Sequence, residues 1–177
     1  MYNESEHWTN DWYQSKSVPS LPTYNVFTDG ACLGNPGSGG WAAVIRSKSD
    51  PSLPRQVLNG GFETTTNNRM EIMPVIKALE ALNEPSKVDL YTDSQYVSKG
   101  INEWIDGWIG RGWRSSSGKP VKNKDLWLRL VPLLEKHRVT AHWVEGHSGN
   151  PDNEDCDFLA RESAKRYDLP IDTGYEG

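Results

Sequence analysis

Residues Tyr24 to Gly40, YNVFTDGACLGNPGSGG, leave this chain few folds to choose from. Tyr24, Val26 and Thr28 alternate with Asn25, Phe27 and Asp29, the period-2 pattern of a strand whose two faces differ. The strand runs into a carboxylate, Asp29, and then breaks into Gly30, Gly34, Gly37, Gly39 and Gly40 around Pro36. Glycines there let the backbone turn tightly or lie close to a ligand. An acid at a strand end, facing bare backbone, is placed for chemistry rather than for packing.

The same device recurs downstream, and the elements between the two copies complete a sheet. Gly39 to Arg46, GGWAAVIR, and Gln56 to Phe62, QVLNGGF, read as strands joined by a Ser/Pro-rich loop. With the first strand they predict an antiparallel meander. Thr64 to Asn68 offers capping side chains ahead of a helical stripe of Ile72, Val75, Ile76, Leu79 and Leu82. Glu71 is expected in about the first turn, where the helix dipole tolerates negative charge. Pro74 is expected to kink that helix, because it removes a hydrogen bond to the carbonyl of Met70. Lys87 to Asp93, KVDLYTD, is another strand ending in Thr-Asp, and Ser94 to Ile101 reads as helix. Trp104, Trp108 and Trp113 follow in a segment containing glycine and arginine. Asn123 to His137 predicts a helix with Leu126, Leu130, Leu133 and Leu134 inward and a second awkward proline, Pro132. Arg138 to Glu145 alternates as a strand, and Asn150-Pro151 opens a last helix running to about Tyr167. The order βββαβααβα predicts an α/β domain, a mixed sheet with helices packed on it. Residues 1–23, acidic and poor in aliphatic residues, read as a flexible N-terminal extension to a domain of residues 24–177. In that extension Trp8, Trp12 and Tyr13 are candidates to pack on the domain or on a partner.

If the two Thr-Asp strands are parallel neighbours, Asp29 and Asp93 emerge together at the carboxyl edge of the sheet, where open α/β folds place ligands. Glu71 and Asp157, each on a helix, are in reach of the same edge. Such a cluster is unstable alone: at ~4 Å and an effective dielectric of ~20, each like-charge pair costs about 4 kcal/mol. A divalent cation reverses the sign, and an all-oxygen donor set favours magnesium or manganese over zinc. Singly, each acid reads as a cap or a surface charge. Their joint placement is the signal.

Charge and cysteine content bear on partners and setting. The chain carries −5 overall, yet Lys99, Arg111, Arg114, Lys119, Lys122 and Lys124 face only Glu103 and Asp106 between positions 99 and 124, a local +4. Local field steers an anion more than the total does. Cys32 and Cys156 are expected to be free thiols in a reducing, cytoplasmic setting. No leader-like or membrane-spanning run is evident, so no membrane partner is expected.

Five stretches, TDGACLGNPG, TTNNRME, YTDSQYV, the three-tryptophan segment with KPVKN, and WVEGHSGNPDNEDCD, resemble type 1 ribonuclease H in that family's order. The closing DTGY at Asp172–Tyr175 resembles bacterial members. The resemblance covers about Tyr24 to Tyr167. It implies the ribonuclease H-like five-stranded mixed sheet, three antiparallel strands plus two parallel, with flanking helices. It implies an endonuclease that hydrolyses the RNA strand of an RNA–DNA hybrid, leaving 5′-phosphate and 3′-hydroxyl ends, as a monomer. Asp29, Glu71, Asp93 and Asp157 match the catalytic carboxylates and would hold two Mg²⁺ (Mn²⁺ a possible substitute) about 3.5–4 Å apart. His147 matches the loop histidine that moves a proton. Glu154 lies in the matched segment with a role in metal handling or product release left open.

Substrate choice requires a reader of the 2′-hydroxyl. The matched candidates are the backbone around Cys32 and Gly34 with the side chains of Asn35, Asn67, Asn68 and Gln95, since an amide both donates and accepts. Turn and capping roles compete for the same asparagines. Thr66 and Arg69 are candidate phosphate contacts. Trp104, Trp108, Arg111, Trp113, Lys119, Lys122 and Asn123 map to the segment that grips the DNA strand, although Trp104 and Trp108 also suit a core. That segment departs from the family's basic pattern at Ile109-Gly110-Arg111-Gly112, with Asp106 just before it. Weaker, less salt-sensitive binding than in a more basic relative is the expectation. A non-catalytic hybrid-binding domain, or a resolvase- or integrase-like nuclease, are the competing readings. The former needs no catalytic acids, and the latter should lack the amide array.

Overall fold

The computed structural model describes residues 20–177; Trp8, Trp12 and Tyr13 lie outside them. Five strands, β1 (Thr23–Leu33), β2 (Gly37–Ser47), β3 (Gln56–Thr65), β4 (Lys87–Thr92) and β5 (Arg138–Trp143), form one sheet in the order β3-β2-β1-β4-β5. β1, β2 and β3 pair antiparallel, whereas β4 lies parallel to both β1 and β5. The meander and the mixed sheet read from the sequence are both present. β1 begins at Thr23, inside the stretch read as extension, and the Pro22 carbonyl accepts from the Lys87 N–H at 2.9 Å.

The strand alternation sorts side chains to two cores. Val26, Val88, Leu90 and Ala141 face the larger one, with helix α1 (Asn67–Ala81) and helix α4 (Lys124–Lys136). Phe27, Ala42 and Val44 face helix α5 (Pro151–Ala164) through Cys156 and Ala160 on the other side. A stack of Phe27, Tyr91 and His142 continues across that second face.

α1 is capped by Thr66, whose hydroxyl accepts from the Arg69 N–H, so the helix starts at Asn67 and Glu71 falls in its second turn rather than its first. The helix continues through Pro74 without a break. The Met70 carbonyl, left without a helical donor by Pro74, lies where a Cβ on residue 30 would stand. Only glycine admits this contact, and it brings the backbone of α1 down onto β1 beside Asp29.

The tryptophan segment is more regular than its glycines suggest. Helix α2 (Gln95–Lys99), capped by Ser94, widens into a π-turn at Gly100–Trp104 and resumes as α3 (Ile105–Gly110). Gly100 sits under the ring of Trp127, the largest fully buried side chain, whose indole N–H donates to Tyr96 Oη at 3.1 Å. Trp127 therefore anchors α4, while Leu133 and Leu134 are only half-buried. α5 opens at Asn150, whose side chain accepts from Asp152 and Asn153 N–H groups, and ends at Ala164, short of the exposed Tyr167. Among the described residues no helix is long and apolar enough to cross a membrane.

Candidate active site

Thr28 and Thr92 are the last register partners of the parallel β1–β4 pair, so the residue after each, Asp29 and Asp93, stands at one level; the strand expected to end at Asp29 instead continues to Leu33, held by its pairing with β2. Glu71 comes down from α1 at the Gly30 contact. Carboxylate oxygens of Asp29, Glu71 and Asp93 all lie within 4.8 Å of one another. Asp157, projecting from α5, lines a small cavity with Asp29, Asp93, His147 and Glu154, and is tied to Arg161 one turn on at 2.6 Å.

Burial and mutual repulsion make this cluster a poor home for three charges. Burial, then the Asp93 charge, push the Asp29 carboxyl up to about 8. Burial raises Glu71 well above the usual carboxylate range, with Asp29 adding to it, and Asp93 is raised by burial. Glu71 Oε2 is buried with no hydrogen-bond partner. A buried acceptor of this kind costs about 1–3 kcal/mol unless something fills the role. Hard, oxygen-only donors around an orphaned carboxylate oxygen fit a divalent cation such as Mg²⁺.

The loop after β5 delivers His147. Val144 N–H donates to the Thr92 carbonyl at 2.9 Å and Gly146 packs against the Asp93 carboxylate. His147 itself has φ 58°, its ring is 74% exposed, and Nδ1 stands 3.7 Å from a Glu154 oxygen. One residue just before this loop, the last of β5, was not marked by the sequence: Trp143, whose indole N–H donates to the Asp93 backbone carbonyl at 3.0 Å. Its signal was an aromatic at the end of an edge strand, which alternation alone assigns to packing.

The candidate substrate readers fall into two groups. Asn35, Thr66, Asn67, Asn68, Lys122 and Asn123 line a groove of about 900 Å³, and Asn35 Oδ1 accepts from the Asn67 N–H at 3.1 Å. Gly34, with φ 98°, makes the turn before Asn35. Cys32 is half-buried, with Sγ turned to the Gly37 and Thr65 carbonyls, and Gln95 is exposed at the start of α2. Trp104, 37% exposed, packs on Trp108, which in turn meets Trp113 and Trp127. Trp108 belongs to the core and supports its neighbours from beneath. Arg111 and Lys119 are exposed, the former donating from Nε to the Arg114 carbonyl. Arg69 is placed differently from the expectation. It is buried, and its guanidinium is committed to Asp125 and Asp172, so it is not free to contact a phosphate. Cys32 and Cys156 are free thiols.

Comparison with known proteins agrees with this architecture. The sequence profile of the RNase H family matches residues 22–165. The ribonuclease H of Oleidesulfovibrio alaskensis is 58% identical over 86% of this chain and 97% of its own length. That of Nitratidesulfovibrio vulgaris (strain Miyazaki F) is 57% identical over 88% and 98%. Among solved structures, LC9-RNase H1, a type 1 RNase H with the type 2 active-site motif, superposes with a TM-score of 0.74 at 32% identity, covering 84% of this chain and 74% of that one. A profile matched along the whole sheet and both helical layers, together with relatives matched nearly end to end, shows that this chain belongs to the ribonuclease H family.

Proposed function

We propose that Asp29, Glu71, Asp93 and Asp157 hold two Mg²⁺ ions and that the chain hydrolyses the RNA strand of RNA–DNA hybrids to 5′-phosphate and 3′-hydroxyl ends. The observation that carries this is the convergence of Asp29, Glu71 and Asp93 oxygens within 4.8 Å at the sheet edge. When bound, the cations supply an activated water and neutralise charge at the leaving oxygen. The protein's own residues do the rest. His147, on its exposed loop, moves the proton at the attacking water or the leaving 3′-oxygen. Glu154, 3.7 Å from its Nδ1, is the acid beside that ring. Asn35, Asn67, Asn68 and Gln95 read the 2′-hydroxyl edge with the backbone at Cys32 and Gly34. Thr66, Lys122 and Asn123 take the phosphates in the groove, with Trp104, Trp113, Arg111 and Lys119 extending that surface along the DNA strand. Among fold neighbours, LC11-RNase H1 is in complex with an RNA/DNA hybrid, a likeness of fold at 20% identity. The reading includes a monomer working in the cytoplasm, a setting the free thiols support, with the described domain sufficient for catalysis.

The test is cleavage of matched hybrid, duplex RNA and duplex DNA with Mg²⁺ titrated and with chelator. Cleavage of the RNA strand of hybrid alone, abolished by chelator, is the expected result. Binding without cleavage would point to a non-catalytic module, and equal cutting of duplex DNA to a different nuclease.

A further inference from the structure

The end of the chain is built into the groove. Beyond α5 the backbone runs beside β3, where Glu63 N–H donates to the Pro170 carbonyl at 3.0 Å. Asp172 is then buried, accepting from Thr65 Oγ1 at 2.7 Å and from Arg69 Nε and Nη2 at 2.7 and 2.9 Å. Arg69, 2% exposed, gives its opposite side to Asp125, from Nη1 at 2.8 Å and Nη2 at 2.7 Å, and reaches Asn123 Oδ1 from Nη1 at 3.4 Å. Every N–H of the guanidinium fork is thereby used. Gly174 lies directly over the Asp125–Arg69 pair, where a Cβ would overlap the Asp125 carboxylate.

The two carboxylates that Arg69 joins belong to different parts of the molecule. Arg69 sits in the first turn of α1 with Thr66, Asn67 and Asn68, which form one lip of the groove; Lys122 to Asp125, at the start of α4, form the other. Asn123 has φ 59°, and its side chain is held between Arg69 and Tyr96 Oη, the latter at 3.1 Å. A buried ion pair adds little to stability over an apolar substitute of the same volume, and its best-attested use is to fix one geometry. We propose that Asp172 is a positioning residue for hybrid binding. Through Arg69 it fixes the spacing of the two lips, so the C-terminal segment is part of the substrate site without touching substrate. This rests on the nuclease reading above.

The experiment compares Asp172→Asn, Asp125→Asn and Gly174→Ala with the unaltered full chain in steady-state cleavage of a labelled hybrid, below each protein's melting temperature. Hybrid cleavage by the unaltered chain tests the nuclease reading; the ratio of KM values tests the clasp. Displacing one hydrogen-bonded lip is expected to raise KM about three- to tenfold, with kcat held within about twofold. A clasp that only stabilises the fold would lower Tm and leave KM of the folded protein unchanged, and that result overturns the proposal. So does a fall in kcat at constant KM. Should Asp172→Asn fail to fold, Asp125→Asn and Gly174→Ala are judged by the same criterion, since Asp125 is partly exposed and Gly174 adds one methyl.

Discussion

Replacing Asp29 with asparagine removes the charge at the centre of the cluster, and the structure fixes what this does to stability in the absence of metal. Burial and the neighbouring Asp93 raise the Asp29 carboxyl from 3.8 to about 8. A group raised on folding binds more protons in the folded chain than in the unfolded one, so its contribution is complete below about pH 4 and is lost as pH climbs through about 8. Within that window wild-type stability falls by about 1.4 kcal/mol per pH unit relative to Asp29→Asn. Across the full window, from 3.8 to about 8, the sum is about 6 kcal/mol. Asp29 and Glu71 interact strongly, so this belongs to the pair rather than to one side chain. Urea unfolding in chelator between pH 5 and 8.5 measures it: the variant should gain on wild type as pH rises. Adding Mg²⁺ should then stabilise wild type at pH 8, by about 2.7 kcal/mol at a hundredfold excess over Kd, and leave the variant unmoved. A stability difference that does not change with pH in chelator would refute the argument, because it would mean that Asp29 is ionised at no cost in the folded protein.

Other perturbations separate the parts of the site. Asp93→Asn is expected to abolish turnover while hybrid binding in a gel-shift assay persists; substantial residual cleavage contradicts a metal-holding role. His147→Ala should slow kcat by about 10²-fold, the scale of general acid–base contributions, and an unchanged rate removes His147 from proton transfer. Trp143→Phe keeps the ring but deletes the donor that holds the Asp93 carbonyl; a loss of about 1 kcal/mol, roughly fivefold in kcat at constant KM, is expected. Wild-type kinetics in that variant would show the contact to be incidental. Removing residues 1–19, which spares the Pro22 contact to β4, should leave cleavage intact, and lost activity would give the extension a function.

The carboxylates were legible in the sequence because they sit beside recognisable periodic patterns. A Thr-Asp step following two alternating stretches and an acid just past a capping cluster are local patterns, and the strand period fixes which face each acid takes. The meeting of Asp29 and Asp93 required only that β1 and β4 be parallel neighbours, whereas Glu71 arrives through the Gly30 contact. Arg69 was misread for the opposite reason. An arginine beside capping residues in a nucleic-acid-like motif looks free until Asp125 and Asp172, 56 and 103 positions away, are brought to it. Trp127 was likewise hidden among leucines, since nothing local says that Gly100 makes room for its ring. The helical course of the tryptophan segment was obscured by Gly107 and Gly110, whose low propensity is overridden by burial of Ile105 and Trp108. Long-range pairings, not local rules, account for each of these misses.

Parallel pairing of β1 with β4 has a consequence for how such a chain can change over time. Asp29 and Asp93 are indexed to hydrogen-bonded rungs, Thr28 opposite Thr92, and not to the connections that leave the sheet. The Lys48–Arg55 turn can therefore lengthen or shorten with both acids in place. Losing one residue between Tyr24 and Thr28, by contrast, would carry Asp29 to the opposite surface of the sheet and silence the enzyme at a stroke.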